Sequence, residues 1–576
     1  MKTVYIILIV IVLLITSGYL FIRFSLLRSK DFKPDNSKSR SFLDLRPSII
    51  AKIQQLVKDG SGGLYLLSIE KIEPNVLSSR VDIIKASITP DSTALNKLDK
   101  ANNLSDNLFK ISFASLHIEG IGLNDLLSKE HLKLKNILVK APVIEVYHAK
   151  RIYNQPMKLP NQNATLYDLI NKKIKSLAVD RIEVTGGTII NHDPGAKTNS
   201  RLNDVHIKMN GVLVDSSTEF DKSRFLYARQ VEISTRNFGG KTPDNMYFFN
   251  CGTMSISTIQ NKLSVLQFEL HPVGGKKQFE NKLDARKEMY DIKIPQIKLS
   301  GLNWWRLQNE QCIDAKQSII HNGICKVFLD RSLPFRNVKQ NNFPQQLLMR
   351  IPIPIYISKM RLVNSNLYYS EYNPGMSKTG TISINNISGS ITNITNMPEK
   401  IRRNEWLTIK GSGIFMHKVP LTNGFQFNLA KFKTGDFTMD LDIKAMDSTI
   451  LNPISVPMGE FMIKKGSIQR GIAHVKGNNF KATGNGLLLY KDLYLVGLKQ
   501  KNNEPGKIKK KSLLSFLGNL LLIKNANPSR GDPPRYKQFE SIRGPHTTFM
   551  SLVWKTIYIG ILKTIGLPER FADKPY

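Results

Sequence analysis

The chain contains 576 residues and carries 82 Lys and Arg against 46 Asp and Glu, a formal net charge of +36 at pH 7. Hydrophobic residues make up 41% and charged residues 22%, which excludes a wholly disordered chain. Only 3 cysteines are present, so neither a multi-bridge disulfide framework nor a four-cysteine zinc module can form. The excess positive charge indicates an anionic partner, such as nucleic acid, phospholipid or acidic polysaccharide.

The first predicted element is a membrane-spanning helix near the amino terminus. The segment from Val4 to Ile22 includes no charged side chain. As a helix it would extend about 28 Å, close to the thickness of the hydrocarbon core. We therefore predict an anchor within residues 1–30, with bilayer contacts at Val4, Ile9, Leu13 and Ile22. Cleavage as a signal peptide is the alternative, although no A-x-A site is present.

Two long stretches of the chain align with each other. ISFASLHIEGIGLNDLL (Ile111 to Leu127) matches IKIPQIKLSGLNWWRLQ (Ile292 to Gln308), and the numbers of their turn glycines, Gly120 and Gly301, differ by 301 − 120 = 181. Two further segment pairs align in the same order, at offsets of 272 − 90 = 182 and 357 − 179 = 178. Three matches in one order predict an internal duplication with a period of about 180.

The body of the chain is predicted to be β-rich because apolar and polar residues alternate with a period of two, as they do from Phe437 to Ala445. Such strands have one apolar and one polar face. Two packed sheets would bury the apolar faces as a sandwich. A single curved sheet would instead leave an apolar trough, which in water requires a lipid or a similar ligand. The periodicity alone leaves both arrangements open.

Several stretches resemble the AsmA-like family, the AsmA/TamB-type envelope proteins. They include RPSIIAKIQQLVKDGSGGLYLLSIEKIEPNVLSSRVDIIKASITPDS after the anchor, LHIEGIGLNDLLSKEHLKLKNILVKAPVIEVY, and FTMDLDIKAMDSTILNPISVPMGEFMIKKGSIQRG near the end. The resemblance covers roughly Arg46 to Leu498 and depends on pattern, without a catalytic motif. It implies a repeating β-groove that is anchored in the inner membrane, projects into the periplasm and conducts phospholipid along its apolar interior.

The residues and the resemblance together predict a mainly β fold. We expect an elongated, curved antiparallel β-sheet groove, with an N-terminal transmembrane helix, a few short helices and C-terminal amphipathic helices. The predicted domains are an anchor (1–30), AsmA-like repeat 1 (41–240), AsmA-like repeat 2 (241–424), a closing β region (425–500) and a basic, amphipathic helical tail (501–576). The resemblance implies a periplasmic body, whereas the basic residues from Arg23 to Arg40 would by themselves favour the cytoplasm.

The predicted function is phospholipid transfer or outer-membrane biogenesis, without catalysis and without a cofactor. The expected partners are the inner-membrane bilayer and a phospholipid in the groove, and no nucleic acid. The apolar stripes expected to line the groove are Val205, Ile207, Met209, Phe437, Met439, Leu441 and Ile443. The alternative is a structural or regulatory scaffold for outer-membrane protein assembly, with a closed β core.

The tail combines a basic run with two apolar segments, SLLSFLGNLLLI and FMSLVWKTIYIGILKTIGLP. A basic cluster beside an apolar helix is typical of the surface of an anionic bilayer. The leading alternative is that both segments are helices packed over the end of the sheet, and contact with an envelope protein is a further one. The candidate membrane contacts are Lys507, Lys509, Lys510, Lys511, Leu517, Trp554, Ile557 and Ile561.

Cys312, His321 and Cys325 form the nearest approach to a metal cluster. Their spacing matches no common zinc pattern, and no fourth ligand is evident, so we predict no metal site. Two buried strand cysteines and a disulfide remain as alternatives. We identify no catalytic constellation in the sequence.

Overall fold

The structure is a computed structural model that describes residues 46–75, 79–120, 131–149, 151–154, 167, 175–193, 198–218, 221–242, 244–334, 342–501, 504–510, 523–544 and 547–567. It is mainly β, with 59% strand and 17% helix, which confirms the β-rich class predicted from the period-two alternation. The chain divides into two compact units. The first contains Met1–Asn245, Phe249–Val265 and Trp304–Glu310, and the second contains Met246–Phe248, Leu266–Asn303 and Gln311–Tyr576.

The strands are β1 (Tyr65–Asn75), β2 (Arg80–Pro90), β3 (Asn107–Glu119), β4 (His131–Lys140), β5 (Val143–His148), β6 (Ser176–Asp193), β7 (Thr198–Val214), β8 (Ala228–Lys241), β9 (Tyr247–Ser257), β10 (Lys262–Pro272), β11 (Met289–Leu302), β12 (Ile313–His321), β13 (Ile324–Asp330), β14 (Ile355–Asn373), β15 (Lys378–Thr395), β16 (Trp406–Phe415), β17 (Val419–Asn428), β18 (Phe437–Ile443), β19 (Met446–Asp447), β20 (Phe461–Gly477), β21 (Lys481–Lys501), β22 (Glu504–Lys510) and β23 (Tyr536–Ile542). The helices are α1 (Arg46–Gly60), α2 (Ser92–Lys100), α3 (Gly275–Asn281), α4 (Trp304–Asn309), α5 (Pro344–Met349), α6 (Pro398–Ile401), α7 (Asn452–Gly459) and α8 (Phe549–Ile565), with 3-10 turns at Ile152–Asn154 and Ser448–Leu451.

The predicted amino-terminal anchor, with Val4, Ile9, Leu13 and Ile22, lies outside the described residues. Among the helices that the structure does describe, none is both long enough and apolar enough to cross a bilayer.

The first unit contains a mixed sheet with a broken strand in its middle. β1 pairs antiparallel with β2, and β2 pairs antiparallel with β3. β4 and β5 both pair antiparallel with β3 on one side and parallel with β6 on the other, so they act as one strand interrupted at Ala141 and Pro142. β6, β7 and β8 then continue in antiparallel order.

The second unit contains the same arrangement at the aligned positions. β12 and β13 both pair antiparallel with β11 and parallel with β14, and β14 pairs antiparallel with β15. The antiparallel order continues through β16, β17, β18, β20, β21 and β23. The strands from β3 to β7 and the strands from β11 to β15 therefore pair in the same order.

Irregular features of the strands also coincide between the two units, within what is one long mixed sheet. The register between β6 and β7 shifts around Gly187, and the register between β14 and β15 shifts around Ser365, an offset of 365 − 187 = 178. A bulge adds a residue on one strand and thereby changes which residues face each side of the sheet. The bulges at aligned positions therefore keep the apolar side chains of β6 and of β14 on one face of the sheet.

In each repeat a tyrosine hydroxyl contacts the backbone at the start of the third strand, which is β3 in the first repeat and β11 in the second. The Phe109 backbone N–H donates to the Tyr65 hydroxyl at 3.2 Å in the first unit. The Tyr290 backbone N–H donates to the Tyr247 hydroxyl at 3.2 Å in the second. The positions of the donors differ by 290 − 109 = 181 and those of the acceptors by 247 − 65 = 182, in agreement with the offset of the duplication.

No side chain would fit at the turn glycines of the aligned segments, Gly120 and Gly301. Gly120 has φ +76° and Gly301 has φ +66°, in the left-handed region that disfavours other residues. A Cβ atom at Gly120 would lie 2.5 Å from the Cβ of Lys135, and one at Gly301 would lie 2.7 Å from the Cβ of Lys316. The neighbouring strand therefore approaches each turn too closely for any larger residue.

Two strands occur within the region that was predicted to be a helical tail, so that prediction is wrong for these segments. Glu504–Lys510 pairs with the end of β21, and Tyr536–Ile542 pairs with its beginning. The alternation within Tyr536–Ile542 is short, and its partner strand begins far back in the chain at Lys481. Local pattern therefore gave no signal for this pairing.

We predict that Gly120→Ala and Gly301→Ala each lower the free energy of unfolding by about 2 kcal/mol or more, because both the backbone conformation and the contact become unfavourable. Gly62 has φ +61° but no atom within 4 Å of the position that a Cβ would occupy. Gly62→Ala should therefore lose only about 1 kcal/mol. Urea unfolding of the three variants measures the difference. Equal losses in all three would show that the close approach contributes nothing.

Candidate functional site

A contiguous apolar surface in the second unit follows from the strand register. Residues opposite each other on neighbouring strands share a face of the sheet. Tyr290 lies opposite Val327, and Val327 lies opposite Tyr369. Further along the strands, Ile292 lies opposite Cys325 in the same way. We call this surface the open face, and its residues are Tyr290, Ile292, Ile294, Cys325, Val327, Leu367, Tyr369, Ile382 and Ile384.

Every residue of the open face is partly exposed, and none reaches the full burial of a core side chain. On the opposite side of β11, the neighbouring Lys293 and Pro295 are exposed. The strand therefore keeps its apolar side chains on one face without completely covering them. Tyr290 packs against the cluster around Phe279, and Ile382 and Ile384 pack against the cluster around Phe415, so part of this face is already covered within the unit.

Several aligned positions of the first unit are buried, although Phe109, which aligns with Tyr290, is only partly buried. Ile111 and Ile144 correspond to Ile292 and Cys325, at offsets of 292 − 111 = 181 and 325 − 144 = 181, and they are 5% and 1% exposed. Phe113, Val146 and Ile189 are buried in the same cluster. The same strand order thus supports a sealed core in one unit and a partly covered face in the other.

A helix explains part of this difference. Ile53 and Val57 of α1 belong to the buried cluster of the first unit, so α1 helps to cover its apolar face. The stretch that aligns with α1 in the second copy, residues 227–241, forms the strand β8 instead. The second copy therefore has no helix at the position in sequence where the first copy has its cover.

The last strands of the second unit are covered by the helix α8. Phe549, Leu552 and Val553 of α8 are buried in one cluster with Phe427 and Phe437 of the sheet. The rings of Phe437 and Phe549 meet edge to face at 5.1 Å. Such contacts contribute beyond simple area burial. The apolar face of β17 and β18 is thus occupied by a segment of the chain itself.

The predicted groove residues lie in the core of the first unit and beneath α8, except Ile443, which lies at another cluster of the second unit. Val205, Ile207 and Met209 are 4%, 2% and 1% exposed in the core of the first unit. Phe437 and Met439 are 2% and 3% exposed beneath α8. Leu441 packs at the margin of that cluster, and Ile443 at the margin of a second one around Phe415. Their role in lipid binding stays a prediction, and the structure does not bring the two groups together within one unit.

The sequence analysis did not single out the open face. Its alternation is visible at Ile292 and Ile294 within IKIPQIKLSG, but the same alternation occurs at the buried Ile111 and Phe113. The distinguishing signal was the loss of an amphipathic helix pattern between residues 227 and 241, where the first copy has RPSIIAKIQQLVKDG.

A polar cluster borders the open face. The Tyr290 hydroxyl donates to Glu288 Oε2 at 2.6 Å, and the Tyr369 hydroxyl donates to Glu371 Oε1 at 2.6 Å. Arg331 Nη1 lies 3.4 Å from the second oxygen of Glu371. Loss of hydration raises the pKa of Glu288, against the smaller opposing effect of the Tyr290 hydrogen bond. Burial also raises the pKa of both tyrosines, which keeps them as hydrogen-bond donors.

The predicted membrane contacts of the tail are only partly described. Lys507, Lys509 and Lys510 lie on β22, while Lys511 and Leu517 are outside the described residues. The remaining candidates lie on α8. Trp554 is 40% exposed, whereas Ile557 and Ile561 are partly buried. The arrangement of α8 matches the interpretation of a helix packed over the sheet, and contact with a membrane stays a prediction.

None of the three cysteines forms a disulfide. Cys251, Cys312 and Cys325 are thiols, so the structure has no bond between Cys312 and Cys325. The Cys312 thiol is fully buried and lies 3.7 Å from the sulfur of Met397. Within the part of the chain that the structure describes, no cluster of three His, Cys, Asp or Glu residues could hold a metal ion.

No family model matches the chain, and no curated protein sequence matches it. The resemblance to AsmA-like proteins therefore remains a prediction from the residues quoted above.

We predict that the cover formed by α8 contributes strongly to the stability of the second unit. Phe549→Ala should lower the free energy of unfolding by about 3–5 kcal/mol, since it removes a buried aromatic side chain. Met550 is the next residue and is 48% exposed. Met550→Ala should therefore change stability by less than about 0.5 kcal/mol. Chemical unfolding compares the two, and a similar effect of both would contradict the packing of α8 on the sheet.

We also predict a pH dependence that originates at Glu288. A carboxyl whose folded-state pKa is raised stabilises the fold below its ordinary value of 4.5, and this contribution is lost as the pH rises through the folded-state value. Glu288→Gln should therefore raise stability at neutral pH and flatten its decline above pH 4.5, because the amide oxygen still accepts from Tyr290.

Glu145→Gln provides the comparison with the opposite sign. The Tyr147 hydroxyl holds the pKa of Glu145 below its ordinary value, so this carboxylate contributes stability that is lost as the pH falls. Glu145→Gln should therefore reduce stability at neutral pH. Urea unfolding from about pH 4 to about pH 8 measures both, and a change of the same sign in both variants would contradict the assignment at Glu288.

Proposed function

We propose that this chain is a membrane-anchored, AsmA-like protein of the cell envelope. In this proposal it binds phospholipid acyl chains on the open face and passes them along an elongated, curved β-groove without catalysis. The anchor is the apolar segment from Val4 to Ile22, and the body lies in the periplasm. The net charge of +36 supports an anionic bilayer as the surface beside which the body works.

One observation carries this proposal: aligned positions of the two repeats differ in how completely they are covered. Ile111 and Phe113 are sealed in a core, whereas Ile292 and Ile294 remain partly exposed on the same strand of the second copy. Apolar surface that remains in contact with water is unfavourable by about 25 cal/mol per Å². Acyl chains remove that penalty without any specific polar partner, which suits a surface made of Ile, Val, Leu and Tyr side chains.

The polar cluster beside the open face supports a lipid with a polar head. Arg331 supplies a cation, and Glu288 and Glu371 supply carboxyl groups at the border of the apolar surface. A phospholipid has the same division between an apolar body and a charged head. The head would therefore lie at this border while the acyl chains cover Ile292 and Leu367.

The second candidate function is a scaffold for assembly of envelope proteins. The sealed core of the first unit and the α8 cover in the second favour it, because closed β units offer their outer surfaces and not an interior. The two candidates differ in one measurable property, namely whether the purified full chain carries stoichiometric phospholipid.

A pair of aligned substitutions tests the proposal. In the full chain, Ile292→Asp should leave the protein folded and reduce co-purified phospholipid at least about tenfold, because a carboxylate on a partly exposed face remains hydrated while it repels acyl chains. Ile111→Asp places the same charge in the sealed core of the first unit, so it should destabilise the fold by about 3–5 kcal/mol. Lipid extraction with mass spectrometry and circular dichroism report the two effects.

Ile292→Val serves as the control, because it keeps an apolar side chain and should retain the lipid. Wild-type protein that is free of phospholipid would overturn the lipid-transfer proposal in favour of the scaffold. Unchanged lipid in folded Ile292→Asp would show that the lipid lies elsewhere.

A further inference from the structure

A serine, a histidine and an aspartate lie next to one another on the polar face of the first unit. Ser115 and His117 are two residues apart on β3, so their side chains point to the same face of the sheet. Asp82 on β2 lies directly opposite His117 in the antiparallel register. The core lies on the other face, where Leu116 and Ile118 are 1% and 5% exposed. Strand pairing therefore brings these three side chains together from two strands.

The hydrogen bonds among the three side chains have a defined direction. The Ser115 hydroxyl lies 2.9 Å from His117 Nε2, and His117 Nδ1 contacts Asp82 Oδ1. An ionised carboxylate only accepts hydrogen bonds, so Nδ1 carries the proton, and the neutral ring accepts from the serine at Nε2. A hydroxyl within reach of a base that is itself oriented by a third group is the diagnostic arrangement of a catalytic nucleophile.

Arg80 holds Asp82 in place. The Arg80 Nε lies 2.8 Å from Asp82 Oδ2. Loss of hydration raises the pKa of Asp82, but the hydrogen bonds from Arg80 and His117 together outweigh it and hold that pKa below its ordinary value. Asp82 is therefore a carboxylate at neutral pH. The side chains of His117 and Asp82 are 19% and 16% exposed, so the imidazole is restrained by its neighbours while it remains in contact with solvent.

No other described histidine contacts both a hydroxyl and a carboxylate. The His131 ring lies 2.6 Å from the Ser176 hydroxyl, but no described carboxylate contacts it. His474 lies 2.6 Å from a carboxylate oxygen of Asp440, but no described hydroxyl contacts it. Ser176 with His131 therefore provides a matched comparison, because the same two side chains meet there without the third.

An open cleft of about 280 Å³ begins beside the histidine. The residues that line it include Arg80, His117, Asn136, Leu138, Lys140 and Arg181. Lys140 on β4 lies directly opposite Ser115, and the Cβ atoms of such pairs are about 5 Å apart. A cation at this position can stabilise negative charge that develops on a carbonyl oxygen attacked by the serine. The cleft is smaller than most sites for drug-sized ligands, so it fits a short acyl group.

We propose that this site hydrolyses short-chain carboxylic esters. The Ser115 Oγ attacks the carbonyl carbon while His117 Nε2 takes the hydroxyl proton, and Lys140 stabilises the oxyanion. The bond from this carbon to the alcohol oxygen then breaks, His117 returns the proton to the departing alkoxide, and the acyl group remains on Ser115. A water molecule deprotonated by His117 attacks the acyl group, which leaves as a carboxylic acid and restores the serine hydroxyl. Asp82 is a positioning residue, because it acts through His117.

This activity goes beyond the proposed lipid transfer, which requires no chemistry. All of its residues belong to the first unit, whereas the open face belongs to the second. The sequence analysis did not find the site, because Asp82 precedes His117 by 35 residues and no known motif joins them. Only the register between β2 and β3 brings them together.

Covalent labelling of the wild-type full chain tests the nucleophile without any substitution. We expect diethyl fluorophosphate to form a bond from Ser115 Oγ to phosphorus with loss of fluoride, and peptide mass spectrometry locates the added mass. Labelling should be lost in Ser115→Ala and slowed about 10²-fold in His117→Gln, which removes the base. Ser176→Ala should be labelled at the wild-type rate. Absence of label from Ser115 in the wild-type chain would overturn the proposal.

Hydrolysis of methylumbelliferyl acetate measures turnover. Ser115→Ala and His117→Gln should each lower kcat/KM by about 10²-fold or more, whereas Ser176→Ala should leave it unchanged. Asp82→Asn should lower kcat by about 10²-fold and change KM by less than about twofold. Arg80 would bind the amide oxygen and leave the amide N–H facing His117 Nδ1, so that Nε2 would carry the proton and could not accept from Ser115.

Circular dichroism of each variant shows whether it is folded. Wild-type hydrolysis no faster than that of heat-unfolded protein, or a rate that survives in folded Ser115→Ala, would overturn the proposal. A full wild-type kcat in folded Asp82→Asn would do so as well, because it would show that Asp82 contributes only to the structure. None of these measurements involves phospholipid, so they are independent of the Ile292 variants.

Discussion

The fold depends on one constraint: a strand with period-two alternation presents an apolar face that something must cover. The first unit meets this constraint with its own side chains and with α1, whose Ile53 and Val57 join the buried cluster. The last strands of the second unit meet it with α8 through Phe549 and Leu552. The open face of the second unit has only partial cover from the described elements, and the proposed function follows from that difference.

Strands as long as β6 and β14 keep their apolar side chains on one face only if the strand register shifts locally. A strand of 18 or 19 residues accumulates twist, and a single extra residue reverses the side on which all later side chains lie. The register shifts near Gly187 and Ser365 occur at aligned places, and the left-handed Gly120 and Gly301 bring a neighbouring strand close at aligned turns. The strands of the two units thus share their irregularities as well as their regular pairing.

Much of the strand content was predictable, because alternation such as that of Phe437 to Ile443 is a local property. The aligned segments around Gly120 and Gly301 also marked stretches that have the same strand order. What covers each apolar stripe was not predictable, because it depends on contacts between distant residues, such as Phe437 with Phe549. Alternation specifies the face on which the predicted groove stripes lie, and tertiary packing decides what covers that face, so their role in lipid binding stays a prediction.

The position of α8 in the chain has a consequence for how the molecule is made. Synthesis proceeds from the amino terminus, so the helix that seals Phe427, Phe437 and Met439 is produced well after the strands that carry them. Until α8 emerges, the aromatic side chains of β17 and β18 are without the helix that covers them. The first unit, most of which precedes them in the chain, can already fold by then. A product truncated before Phe549 would therefore leave Phe427 and Phe437 without the ring contacts that Phe549 makes to them in the complete chain.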